Sequence, residues 1–112
     1  MATAELALVL PAVLLVLAVA LSALGVAVDQ LRCVDAARAG ARAAARRDTA
    51  GAVVQVALRA APAGAHVETA VGGELVTVTV TAPRARLAAL VPSSLRPRAS
   101  ATAQLEDAGA PP

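Results

Sequence analysis

The chain has 112 residues, 58% of them hydrophobic, yet it contains no Phe, Trp or Tyr, so any core must be built from Leu, Val and Ala. Its net charge is only +2, and every basic residue is Arg. The absence of Lys and the abundance of Ala read as codon bias in a GC-rich genome, which makes the pI of about 10.0 weak support for a nucleic-acid partner. One cysteine, Cys33, excludes an intramolecular disulfide and reads as a small apolar residue on a packed helix face.

From Leu6 to Val28 there is no charged residue, and the single polar side chain is Ser22. A helix over this stretch is roughly 35 Å long, enough to cross a hydrocarbon core of about 30 Å. A cleavable signal peptide fits poorly. No basic residue precedes the apolar run, the run exceeds the usual length of about 7–15 residues, and the helical pattern continues beyond it. Pro11 removes one backbone donor inside the span and predicts a mild kink, with the carbonyl of Ala7 covered by a neighbour or by local adjustment. Gly25 and Gly40 are small-residue points of close approach.

The helix is expected to run on from Asp29 to about Arg46, giving one rod of roughly 65 Å from Ala4. Leu31, Val34, Ala37, Ala41, Ala44 and Ala45 form an apolar stripe, and Arg38, Arg42 and Arg46 form a basic one at i, i+4, i+8. Asp29 with Arg32 and Asp35 with Arg38 are acid-before-base pairs at i, i+3.

Asp48-Thr49 signals a second N-cap, opening a short amphipathic helix over Thr49–Ala61. Its expected apolar face is Ala50, Val53, Val54, Ala57, Leu58 and Ala61, with Gln55 and Arg59 opposite; Pro62 and Gly64 end it. The period then changes to two. Val67, Thr69 and Val71 alternate with His66, Glu68 and Ala70, and Gly72-Gly73 is read as the hairpin turn. Leu75–Thr81 is the clearest strand, with Val76, Val78 and Val80 on one face and threonines on the other. After Pro83, Arg84–Pro97 reads as a linker with room for a short helix at Leu87–Val91. Arg98–Asp107 alternates again as a third strand, and Ala108–Pro112 is a tail.

The expected fold class is α+β: a long N-terminal membrane-spanning helix continuing into a small domain with a short helix and a three-stranded antiparallel sheet. The chain divides into an N-terminal helix (1–47), a small α+β domain (48–107) and the tail (108–112). A three-stranded sheet needs a cover, so the valine face should pack on a helix. With so little bulk available, that cover comes from the extension of the long helix or from a neighbouring subunit.

No residue set suggests catalysis. His66, the single histidine, has no Cys or His partner at metal-ligand spacing, so ligand type excludes zinc. Ser93-Ser94 beside Pro92 are ordinary turn residues, and Glu106-Asp107 reads as a solvated strand end. There is no nucleophile elbow, phosphate loop or acidic metal cluster. The Arg38/Arg42/Arg46 stripe could meet phosphates, lipid headgroups or acidic residues of a neighbouring subunit. Without an aromatic to stack a base, a nucleic-acid role is not expected.

Glu5, at the mouth of the span, carries two readings. It favours the helix dipole in the first turn, with Thr3 as the capping candidate. It also places a carboxylate where, in a bundle of staggered rods, it can meet the free α-amino group of the next subunit and set axial register.

Two segments resemble a known family. Thr3-Ala4-Glu5-Leu6-Ala7-Leu8-Val9-Leu10-Pro11 resembles the acidic residue, apolar run and early Pro of TadE-family pilin-like proteins, in the minor-pilin form of actinobacteria. Asp35-Ala36-Ala37-Arg38-Ala39-Gly40-Ala41-Arg42-Ala43-Ala44-Ala45-Arg46 is similar to their membrane-proximal helix. The resemblance implies a non-enzymatic minor pilin or pseudopilin of a tight-adherence (Flp-type) type IV pilus system, with no cofactor. Its implied partners are membrane lipid, other pilin subunits, the assembly platform and a prepilin peptidase. It implies Glu5 as the assembly residue at position five, with Pro11 beside it. It also implies a short basic leader, which we expect to be encoded upstream and cleaved just before Met1. Arg32, Arg38, Arg42, Arg46 and Arg47 all follow the span, so the positive-inside rule alone would leave the domain cytoplasmic. The family places it outside, and a basic leader would counter the bias. A single-pass anchored binding module is the alternative reading.

Overall fold

The computed structural model describes residues 2–83 and 93–105. The expected helix at Leu87–Val91, the acidic pair Glu106-Asp107 and the tail at Ala108–Pro112 lie outside the described residues.

The long helix is a single element, α1 (Ala2–Ala45), which passes through Pro11 without a break. Because it begins at Ala2, Thr3 lies within the first turn and not at the cap position expected of it. Its C-terminus closes with the amide of Asp48 on the carbonyl of Ala43 at 3.2 Å and the amide of Arg47 on Ala44 at 3.0 Å. This is the Schellman arrangement, and it puts Arg47 at φ 60°, a left-handed position that glycine usually fills. The short helix α2 (Ala50–Ala60) follows, capped as expected by Thr49, whose hydroxyl accepts from the amide of Ala52 at 3.2 Å.

Three strands follow: β1 (His66–Gly72), β2 (Leu75–Thr81) and β3 (Arg98–Gln104). They form one antiparallel sheet in the order β1-β2-β3. The register pairs Gly72 with Leu75, so the two-residue turn is Gly73-Glu74, one position later than the expected Gly72-Gly73. Gly73 sits there at φ +62°, which a residue with a Cβ adopts only at a cost.

Register also assigns the faces. Val67, Val80 and Ala99 share a row, as do Thr69, Val78 and Ala101, and Val71, Val76 and Ala103. This face looks at the helices, and Val76, Val78 and Val80 are fully or nearly buried. The other face is polar, with hydroxyl pairs Thr77–Thr102 and Thr79–Ser100 both at 2.9 Å. The cover is therefore the chain's own α1. Cys33, Ala36, Ala37, Gly40, Ala41, Ala43 and Ala44 line its buried side and join Val53 and Ala57 of α2 in one core.

That core uses small residues to bring backbone close to backbone. A Cβ built on Gly40 would lie 2.9 Å from Cγ1 of Val78 and 3.3 Å from Cβ of Ala57. Gly40 is thus a point of close approach as expected, but its partner is the sheet of its own chain. Gly25 has no neighbour within 4 Å.

Three packing expectations are corrected. Leu31 is expected on the buried stripe but is 65% exposed, while Cys33, Ala36 and Ala43 take the buried side. At about 100° per residue Leu31 falls roughly opposite Gly40, and the real stripe is set by which side the sheet occupies. On α2 the packed face is turned toward Val53, Val56, Ala57 and Ala60, leaving Leu58 38% exposed. Neither Asp29–Arg32 nor Asp35–Arg38 closes to an ion pair, whereas Arg46 reaches Asp48 at 3.4 Å. Exposed pairs gain little in water and cost rotamer freedom to hold.

Candidate membrane and assembly interface

The N-terminal half of α1 stands clear of the head. Its apolar side chains are outward-facing from Leu6 through Leu24, and the molecule is 82 Å long but only 24 and 20 Å across. By length and composition α1 can cross a membrane. Such a surface is unstable in water, and lipid or neighbouring apolar helices are the environments that match it. Within the span the Ser22 hydroxyl donates to the carbonyl of Ala18 at 2.8 Å, so its polar group is satisfied inside the helix.

The residues singled out from sequence fall in two separate places. Glu5 is exposed in the first turn of α1, and Pro11 lies within the helix beside a shallow apolar groove lined by Leu8, Val9, Ala12, Val13 and Val16. Arg38, Arg42 and Arg46 are exposed on the opposite half of the rod. They face away from the sheet, because the positions buried against it occupy the other side of the helix. Arg46 reaches Asp48 at 3.4 Å, and the other two make no ion pair among the described residues. The structure does not bring Glu5 and the arginines together; the apolar span separates them.

His66 is exposed as expected, and its Nε2 lies 3.1 Å from Oε1 of Glu68, two residues along the same strand face. Cys33 is buried as expected. Burial pushes its thiol above the ordinary value of 9.0, the nearby Asp29 carboxylate adds to this, and a backbone hydrogen bond at Ala82 opposes it. Among the described residues, no three His, Cys, Asp or Glu side chains converge as a metal site would require.

One residue escaped the sequence reading. Gln30, just past the apolar run, donates from Nε2 to the carbonyl of Arg98 at 2.9 Å and accepts from the Arg98 amide at Oε1, also at 2.9 Å. In the register of β3, Arg98 turns its backbone away from β2, so the Gln30 side chain takes the place of a neighbouring strand. Nothing local in the sequence signals this clamp, since the two residues are 68 positions apart.

Comparison with known proteins agrees with the N-terminal resemblance. Residues 1–42 match the family model described as TadE-like protein. A protein of Mycobacterium tuberculosis (strain ATCC 25618 / H37Rv), named "Apoptosis inhibitor Rv3655c", is 44% identical over 78 residues, covering 70% of this chain. The chain spans about 62% of the length of that curated relative. No solved structure matches. Over residues 1–42, the N-terminal helix, the chain is similar to the TadE-like family.

Proposed function

We propose that the chain is a non-enzymatic minor pilin or pseudopilin subunit of a tight-adherence (Flp-type) pilus assembly system, held in the membrane by α1 with its head outside the cytoplasm. The observation that carries this reading is the exposed apolar half-helix with one carboxylate, Glu5, at its mouth. An anchor alone needs apolar length, whereas a charge at the edge of the span calls for a partner. In a packed array of such helices the Glu5 carboxylate pairs with the α-amino group of an adjacent subunit and fixes the axial register. Pro11 shapes the same end of the rod, and Arg38, Arg42 and Arg46 offer a basic stripe to a neighbouring subunit. The TadE-like match over residues 1–42 supports a Tad pilus-associated protein.

A second reading, a single-pass anchored binding module, draws on one observation: the Mycobacterium tuberculosis relative carries the name of an inhibitor and not of an assembly component. Replacing Glu5 by Ala separates the two. A pilus subunit stays in the membrane fraction but is lost from sheared surface filaments and from crosslinks to its neighbours. Undiminished filament incorporation of Glu5→Ala would sink the pairing role, and intact partner binding without any filament would favour the module. Protease added to spheroplasts tests orientation; a protected head overturns the outside placement.

A further inference from the structure

We infer that the base of the head is a lipid-docking collar, built to hold anionic phospholipid headgroups around the exit of α1 from the bilayer. The inference rests on the anchor reading of α1 and not on pilus assembly.

Height comes first. Gln30 stands about 3 Å and Cys33 about 8 Å beyond Val28 along the helix axis. Each headgroup layer is roughly 5–8 Å deep. Whatever Gln30 and Cys33 touch is therefore at headgroup level. Gln30 holds the backbone of Arg98 through two hydrogen bonds of 2.9 Å. Cys33 meets the backbone of Ala82, and Ala82 accepts from Nε of Arg96 at 2.8 Å. Further up, Gly40 packs on Val78. From Cys33 to Gly40 the helix climbs about 10 Å, and from Ala82 to Val78 the strand covers about 13 Å, so the sheet runs along the helix. The start of β3 is thus the membrane end of the head, and the Gly73-Glu74 turn is the distal end.

The chemistry of that end is amphipathic. Leu31 is 65% exposed on the helix and Leu95, in the 3-10 turn Ser93–Leu95, is 55% exposed. Arg32 and Arg98 are exposed, and their side chains make no hydrogen bond or ion pair among the described residues. Arg96 is exposed and donates from its Nε to the carbonyl of Ala82. On α1 the acidic group at this height is Asp29; across the sheet the register sets His66 level with Arg98, and the Glu68 carboxylate there lies 3.1 Å from the His66 ring on the strand farthest from β3. Among the described residues the side of this end formed by α1 and β3 carries three cations, Arg32, Arg96 and Arg98, against the one carboxylate of Asp29, with exposed leucines at Leu31 and Leu95. Bidentate guanidinium binding suits lipid phosphate, and leucines at the acyl boundary suit an interfacial anchor. The clamp at Gln30 makes this a fixed surface, since the collar residues on β3 cannot lift away from α1 without breaking it.

The test uses the full chain in vesicles of phosphatidylcholine, with and without phosphatidylglycerol. In a Cys33→Ala background, an environment-sensitive fluorophore is attached at Leu95→Cys, at Val71→Cys on the distal end, or at Leu14→Cys in the span. Nitroxide-headgroup lipid is the quencher for the first two, and acyl-chain nitroxide for the third. The collar predicts strong quenching at position 95, weak quenching at 71, and a gain at 95 when the anionic lipid is added. Arg32→Gln with Arg98→Gln removes two cations but no described hydrogen bond. It should weaken the contact equilibrium in anionic vesicles about 25-fold, at roughly 5-fold per arginine, and raising salt should act in the same direction. Quenching at 95 no greater than at 71, or indifferent to anionic lipid and to the double substitution, overturns the collar while leaving the anchor intact. Position 14 unquenched overturns both.

Discussion

Gly40→Ala tests how the head is held on the helix. The added Cβ would meet Val78 Cγ1 at 2.9 Å and Ala57 Cβ at 3.3 Å, where ordinary contact begins at 3.4 Å. Val78 is fully buried and β-branched, and Ala57 has no rotamer to yield with, so the helix itself must move out by about half an ångström. Overpacking of this size costs about 1–3 kcal/mol, while replacing a mid-helix glycine returns about 1 kcal/mol. The expected net loss is about 1 kcal/mol. Val78→Ala alone removes two methyl groups from the core and costs about 2–3 kcal/mol. Combining the two gives the sharper result, because the new methyl occupies space that Val78 vacates. The double variant should be no less stable than Val78→Ala, a coupling of about 1 kcal/mol or more. Urea titration of the full chain in detergent, followed by far-UV circular dichroism, measures the series. The lone buried thiol gives a second readout, since Cys33 reacts with a thiol reagent when the head opens. Gly40→Ala at or above wild-type stability, or simple additivity in the double variant, would refute the close-approach argument.

Three further outcomes follow from the same packing. Gln30→Ala deletes both hydrogen bonds to Arg98 and should cost about 1–2 kcal/mol, with faster hydrogen exchange at the Arg98 amide and little change at the distal strand ends. The Cys33 thiol has its folded pKa raised above 9.0, so the stability this burial carries is complete below pH 9 and is lost as pH rises through the raised value; urea midpoints should fall only in that alkaline window, and Asp29→Asn should bring the window down slightly by removing the second cause of the shift. Thr49→Ala leaves the Ala52 amide without its cap and should cost about 1 kcal/mol, read as fraying of α2 by amide exchange.

The parts of this fold legible in the sequence are those governed by local periodicity. The uncharged run, the Thr49 cap and the alternating Val-Thr strand each announce themselves within a few residues. The parts that local periodicity does not reach depend on where the sheet lies relative to the helix. An alanine-rich helix presents similar side chains all round, so the buried azimuth over Cys33–Ala44 is chosen by the sheet; Leu31, the bulkiest candidate for the stripe, ends up on the outside. The hairpin offered two glycines, and only pairing register selected Gly73 as the turn residue. Gln30 was invisible because its partner is backbone, and backbone leaves no trace in composition. For the candidate interface, the residue types at Glu5 and along the arginine stripe could be read directly, while their separation on the rod came from the structure.

The unbroken course of α1 from Ala2 to Ala45 sets a phase relation between span and head. No loop intervenes, so the head inherits the azimuth of the membrane helix. One residue inserted between Val28 and Asp29 would turn the head by about 100° and raise it by about 1.5 Å, whereas seven would bring it back to within about 20° of its original heading, about 10 Å higher. The number of inserted residues thus sets heading and height together, and the rod works as a goniometer for whatever its head must face.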